Sequence, residues 1–424
     1  MLMKKYVIDT VNPKDFTAGS KARNDIESIL TKNGYDKFSI VVGEKKKKIL
    51  SETYRIKKQL RTILDSIEEN SLVVMQYPWG TMSYGMAKIV SEKMQCRGIR
   101  TAVIIHDLNS VRTGSKLTKQ YYNYYVKEIK YLSQFDYIVC HNKSMGRYLI
   151  NNGIDSKKIV SLGIFDYLTE TAAQKVLITP KETRKINIAG NLSKDKTEYI
   201  YKLPELGIKN YSVQLYGPFY SGEKSTKIIY NGKFPADELP KYLTAGFGLV
   251  WDGTDVTTCA GHFGQYLKIN NPHKLSLYMA CGIPVIVWKQ AAIADFVTNN
   301  NVGFCVESLA EIDNIMKNLT VEKYTELQGN VALIQQRVRN VLACFFMKKR
   351  RNVCRGTPAG AAVLLLRHQT MAAVLYAEVS KPRQQNIPNT TAHRNRRRRQ
   401  LQGMKYNFAK IYRGGQPLRD RSDS

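Results

Sequence analysis

Acidic residues are scarce in this chain. Its 424 residues hold 35 aspartates and glutamates against 65 lysines and arginines, a formal charge of +30. Cysteine is also thinly spread. The seven (Cys96, Cys140, Cys259, Cys281, Cys305, Cys344 and Cys354) are odd in number and never spaced C-x-x-C. That argues against a disulfide framework or a zinc site and fits a reducing cytosol. Long apolar runs are missing. The longest in the last fifth, 359–366, is stopped by Arg367 and His368, far short of the roughly 20 residues that span a bilayer. Near the N-terminus, Asp9 interrupts what would be the apolar stretch of a signal peptide. The expectation is therefore a cytoplasmic protein. Several catalytic templates are absent too: G-x-x-x-x-G-K-[ST], G-x-G-x-x-G after the first strand, H-E-x-x-H, G-x-S-x-G and Asp-x-Asp. Phosphate-loop ATPases, zinc peptidases and nucleophile-elbow hydrolases lose their sequence support with them.

What is present describes a folded protein. With 43% hydrophobic, 10% aromatic and 24% charged residues, the chain is too apolar to be a disordered basic tail. Its charge is unevenly distributed. Residues 341–424 carry 18 basic and 3 acidic side chains, and 13 of the 18 are arginine. The first 340 residues carry 47 basic and 32 acidic, with 37 lysines to 10 arginines. Opposite Lys:Arg preferences separate a body from an atypical basic tail. A fusion, an extension or a change of reading frame explains the tail better than a nucleic-acid or membrane-binding arm.

The body alternates short apolar runs with amphipathic stretches. Strands are expected over 6–11, 38–42, 71–77, 101–107, 135–141 and 158–162, then over 185–190, 212–217, 228–232, 246–251, 283–288 and 303–306. Helical segments lie between them, among them 24–31, 54–67, 117–132, 237–244, 274–280 and 310–316. A β-α-β-α order implies parallel sheets covered on both faces, which bind ligands beyond the carboxyl ends of their strands. Residues 164–184 are short on apolar pattern and read as a linker. The expected fold is α/β: two facing Rossmann-like domains with parallel sheets, 1–170 and 171–340, followed by the tail 341–424.

Three loops suit an anionic ligand. In Thr17-Ala18-Gly19-Ser20-Lys21-Ala22-Arg23, Ser20 can cap the next helix, Gly19 lets a ligand approach the backbone, and two cations sit where the helix dipole disfavours them unless an anion offsets it. An ordinary capped helix explains that run equally well. Gly190-Asn191-Leu192-Ser193-Lys194 ends the first strand of the second series, where a ligand loop or a plain turn belongs. The most informative run is Asn270-Asn271-Pro272-His273-Lys274 through Gly282-Ile283-Pro284. Asn271 would cap a helix, Pro272 would open it and Gly282 would end it. Lys274 at that helix start would suit a nucleotide diphosphate, whose charge grows as it leaves. His106-Asp107 closes a strand; Asp107 could act as base, orient His106 or cap the next helix. Asp252 and Asp255, three apart, read as a turn rather than a metal site.

Taken in order, Thr17-Ala18-Gly19-Ser20, Ile105-His106-Asp107, Gly190-Asn191-Leu192, Phe247-Gly248-Leu249-Val250-Trp251 and the run from His273 to Ile286 resemble a family. It is the bacterial sugar transferases that include adhesin-glycosylating glucosyltransferases and galactofuranosyltransferases of surface polysaccharides. The resemblance covers about residues 3–340. It implies the GT-B fold and hexosyl transfer from a nucleotide sugar, usually uridine-linked, to a glycan or glycoprotein acceptor, without an essential metal or other cofactor. By motif match, Thr17, Lys194, Tyr230, Asn270 and Lys274 would bind the donor, with Gly190 and Asn191 in the same loop as Lys194. Lys274, Lys194 and helix N-termini would stabilise the leaving group, and Asp107 would serve as acceptor base. Tyr230 could instead be sheet packing.

There are departures. No Asp or Glu lies between His262 and Ser276, where many GT-B enzymes place paired glutamates. Lysine at 194 offers only a point charge where arginine would grip phosphate with two hydrogen bonds. The family's chain usually continues past Arg337 into a final helix packed across the domains, and Val341 onward does not continue it recognisably. Two other readings stay open: a non-catalytic GT-B-like partner of another transferase, and a nucleic-acid-binding protein acting through the tail. Acceptor selection is expected on the loops 79–84 and 109–116. Lys45-Lys46-Lys47-Lys48 could favour contact with the inner face of an acidic membrane, although a solvated loop explains four lysines as well. Homo-oligomerisation is compatible with the chain.

Overall fold

A computed structural model describes residues 3–11, 18–42, 49–78, 84–112, 128–170 and 177–339. The tail, the four-lysine run, Thr17 and most of the two expected acceptor loops lie outside the described residues. Twelve strands form two six-stranded sheets. The first is built from β1 (Lys5–Val11), β2 (Asp36–Val41), β3 (Leu72–Tyr77), β4 (Arg100–Ile105), β5 (Tyr137–Cys140) and β6 (Ile159–Ser161). Its order is β2-β1-β3-β4-β5-β6. The second contains β7 (Lys185–Ala189), β8 (Ser212–Tyr216), β9 (Ile228–Tyr230), β10 (Phe247–Val250), β11 (Val285–Trp288) and β12 (Gly303–Val306). Its order is β12-β11-β10-β7-β8-β9. Every pairing in both sheets is parallel.

The apolar runs made this outcome strongly favoured. β3 is buried at all six positions, as are all four of β10 and β11, because helices cover both faces. In each sheet the chain order reverses once. The reversal falls between β1 and β3 in the first and between β7 and β10 in the second, and a crevice opens at the carboxyl edge there.

Expected strands and observed strands agree to within two residues at most ends; helices differ more. The 237–244 segment forms only the short 3-10 turn Leu239–Lys241. The first helix runs over Ala18–Lys32, so Ser20 lies inside it and does not cap it. Nor is 164–184 a solvated linker. Ile164, Phe165 and Tyr167 are buried at the junction, and the Tyr167 amide donates to Val338 O at 2.8 Å. Val338 belongs to the helix Val321–Arg339, whose Tyr324, Leu327, Val331, Ile334 and Val338 face the second core. The end of that helix thus returns to the segment joining the domains, and Arg339 also donates to Thr169 O. Among the described residues, no helix is long and apolar enough to cross a membrane.

Candidate active site

The reversal point of the second sheet is shaped by two close approaches. A Cβ on Gly217 would fall 1.7 Å from Gly190 O, so the loops after β7 and β8 meet backbone to backbone; both glycines hold positive φ, +129° at Gly190 and +150° at Gly217. On β10, Gly248 leaves room for the ring of Tyr278, whose atoms lie 2.1–2.5 Å from where a Cβ would stand. The Tyr278 hydroxyl donates to Asn187 O and accepts from the Ala189 amide, both at 3.0 Å, which locks the helix His273–Cys281 over β7 and β10. Lys274 is four residues earlier on the same face. Its ammonium therefore reaches the carboxyl end of β10, donating to Trp251 O and Asp252 Oδ1 at 2.9 Å each.

A second ammonium shares that crevice. Lys196 lies in the short helix Lys194–Thr197, and its Nζ is 5.9 Å from the centre of the Phe263 ring. Burial pushes it below its ordinary 10.5. Asp252 and Asp107 oppose that shift, while Lys274 and Arg112 add to it. Lys194, expected to be the phosphate cation, is exposed. Two residues along a helix are about 200° apart, so Lys194 and Lys196 cannot face the same way. The Asn191 side chain is also turned to local work, accepting from the Ser193 amide at 2.8 Å.

The first domain presents Asp107 to the crevice. Its Oδ2 accepts from Arg112 Nη1 at 2.9 Å, and the Tyr266 hydroxyl, from the second domain, stands by it and accepts from the Leu108 amide at 2.8 Å. Burial raises the Asp107 carboxyl above its ordinary value, against the pull of Arg112 and Lys196. Asp107 does not orient His106; Gln76 does, its Oε1 accepting from His106 Nε2 at 2.7 Å. The turn Asn109–Arg112 is held by the buried Glu128, which takes bonds from Ser110 and the Asn109 amide.

The other expected donor-loop cations are consumed internally. Arg23 binds Asp9 through two nitrogens at 2.7 and 3.2 Å and donates to Gln76 O and Pro78 O, both at 3.0 Å. Lys21 bonds Asp25 and Leu168 O at 2.6 Å and pairs with Asp237 of the second domain at 2.9 Å. The anions that offset the helix dipole there are the protein's own. Gly19 falls in the first turn of that helix.

Asn271 is likewise not a cap, since the helix begins at His273 with Pro272 before it. It is a cross-domain tie. Its amide N–H donates to His141 Nδ1 at 3.0 Å, its Nδ2 donates to Gly163 O, and its Oδ1 accepts from Asn142 at 2.7 Å. His141 Nε2 donates to Ile105 O at 2.9 Å, which fixes that ring as the neutral tautomer. Burial holds His141 and His273 down at about 4 and His106 well below 6.5, all three rings packed around Phe165. Asn270 is buried, with its Oδ1 unpartnered. Tyr230 is 44% exposed, donating to Gly217 O at 3.0 Å and leaning on Tyr220. Among the described residues, no cluster of three His, Cys, Asp or Glu side chains is placed to hold a metal ion.

Comparison with known proteins gives this crevice its context. Residues 4–164 match "Glucosyltransferase 3-like, N-terminal domain" and residues 186–350 match "Glucosyltransferase 3-like, C-terminal domain". The chain belongs to the glucosyltransferase 3-like family. Beta-1,6-galactofuranosyltransferase WbbI of Escherichia coli (strain K12) is 32% identical over 340 residues, 79% of this chain and 94% of that protein. Glucosyltransferase 3 of Streptococcus gordonii is 25% identical over 73% of this chain and 86% of its own. In fold, the chain is similar to sucrose-phosphate synthase from Thermosynechococcus elongatus, with a TM-score of 0.57 at 12% identity, covering 83% of this chain and all of the other. This member of the glucosyltransferase 3-like family is therefore a bacterial GT-B glycosyltransferase of the hexosyl-transferring kind. The C-terminal match continues past Asn340, where the sequence resemblance was expected to stop.

Proposed function

We propose that the protein moves a hexosyl unit from a uridine-linked nucleotide sugar to a glycan or glycoprotein acceptor, without a metal ion, in the cytoplasm or at the inner face of the membrane. The domains divide at about 170, with the donor on the second. The observation that carries the reading is the pair Lys196 and Lys274 at the reversal point of the second sheet, which with Arg112 set three cations against two carboxylates, Asp252 and Asp107. A diphosphate would complete that charge balance, and as the leaving group gains charge both lysines would stabilise it more. Asn270 Oδ1 would accept from a donor hydroxyl, while Gly190, Asn191 and Tyr230 would border the nucleotide. Asp107, with its carboxyl pushed upward, would take the proton of the acceptor hydroxyl.

The test is donor hydrolysis and transfer by the full chain with a uridine-linked hexose in the presence of EDTA. Lys274→Ala should lower kcat about 100-fold, the scale of one lost charge-stabilising group. Asp107→Asn should cost about 100- to 10,000-fold in transfer while uridine diphosphate still raises Tm. Undiminished hydrolysis in Lys274→Ala would remove the donor assignment. Nucleotide binding without turnover across a panel of acceptors would mark a non-catalytic partner instead.

A further inference from the structure

Glu128 has no place in the sequence motifs, yet it is 3% exposed and fully engaged. Its Oε1 accepts from the Tyr77 hydroxyl at 2.7 Å, at the end of β3. Its Oε2 accepts from the Ser110 hydroxyl and, at 3.3 Å, from the Ser110 amide, and the Asn109 amide adds a further bond. Such a set of donors suits an ionised carboxylate, although burial pushes the group upward. A core would be cheaper to build without a buried carboxylate, so what the group holds matters.

It holds the turn Asn109–Arg112. The Val111 and Arg112 amides close that turn onto Leu108 O at 3.1 and 2.9 Å, and Arg112 reaches back to Asp107 Oδ2 at 2.9 Å. Tyr266 fixes the Leu108 amide next to Asp107 at 2.8 Å. We infer that Glu128 is a positioning residue for glycosyl transfer: through Ser110 and the Asn109–Arg112 turn it aims Arg112 at Asp107. This rests on the reading of Asp107 as acceptor base.

The consequence is a shift in a pH profile. Burial raises the Asp107 carboxyl while Arg112 and, less strongly, Lys196, Tyr266 and Arg23 lower it, so loosening the turn weakens the largest opposing pull and moves the acid limb of kcat to higher pH. In Glu128→Gln, an amide NH2 replaces an acceptor oxygen among N–H and O–H donors. The experiment measures kcat and donor KM against pH for the wild type, Glu128→Gln, Ser110→Ala and Asp107→Asn. Glu128→Gln should lower kcat about 10-fold with donor KM nearly unchanged and move the acid limb upward. Ser110→Ala, which removes one hydroxyl and strands no buried donor, should move it the same way by less; it serves if Glu128→Gln does not fold. An acid limb unmoved in the folded variants, with Asp107→Asn inactive, overturns the positioning role alone. Activity retained in Asp107→Asn overturns the base reading and this inference with it.

Discussion

The two reversal points are built on the same topology and finished in opposite ways. In the first sheet the crevice between β1 and β3 is filled by Arg23, Asp9, Gln76 and His106, each bonded to another of the set. In the second, Lys196, Lys274 and Arg112 meet two carboxylates, Asp252 and Asp107, and one positive charge is left over. A parallel sheet provides a place where ligands bind, but side-chain charge decides whether the protein fills that place itself. Arginine suits the filled crevice because its planar fork can bind a carboxylate and two carbonyls at once.

The largest expected effect separates the two crevices directly. Arg23→Ala strands the buried Asp9 and should cost about 3–5 kcal/mol in denaturant unfolding, while the folded fraction keeps its stabilisation by uridine diphosphate. Lost nucleotide binding with normal stability would mean that the first crevice faces the ligand after all.

The seam between the domains gives the next effect. The folded protein keeps His141 and His273 neutral down to about pH 4, whereas the unfolded chain takes up those protons from about 6.5. Stability from these rings is complete above 6.5 and is lost as pH falls towards 4, at most about 3 kcal/mol for each. Protonation at His141 Nδ1 would also break the bond from the Asn271 amide that ties the domains. Tm measured from pH 7 to 4 should fall across that window; a flat line would show that the rings are not held neutral.

The smallest effect concerns two lysines in one turn. Lys196→Ala should weaken uridine diphosphate binding about 10-fold, roughly 1.4 kcal/mol, with little loss of Tm, because desolvation of that half-buried ammonium offsets what its neighbours contribute. Lys194→Ala should change neither quantity by more than about 0.5 kcal/mol. Equal losses from the two would show that the face assignment is wrong.

Much of this was legible in the chain. All twelve strands could be read from apolar runs, most plainly β3, β10 and β11, since a strand buried on both faces must be apolar throughout. Lys274 could be placed because Pro272 and Gly282 bracket its helix. The expectations that the structure redirects share one cause. Lys194 and Lys196 stand on either side of Asp195, and a four-residue helix is too short for a periodic pattern to show which one turns inward. Lys21 and Arg23 looked like ligand cations because their partners Asp237, Asp9 and Gln76 arrive from other segments. Asn271 looked like a cap because its real partners, His141 and Gly163, are more than a hundred residues away. Glu128 gave no signal at all, being one carboxylate at no recognisable spacing.

By itself the sequence determined the sheet architecture, the two-domain division of its body and the family, because local pattern and motif order are properties of the chain. Tertiary structure alone decided which cations remain unanswered. A charge is neutralised by whatever lies within a few ångströms, and those neighbours come from strands and helices far away in sequence.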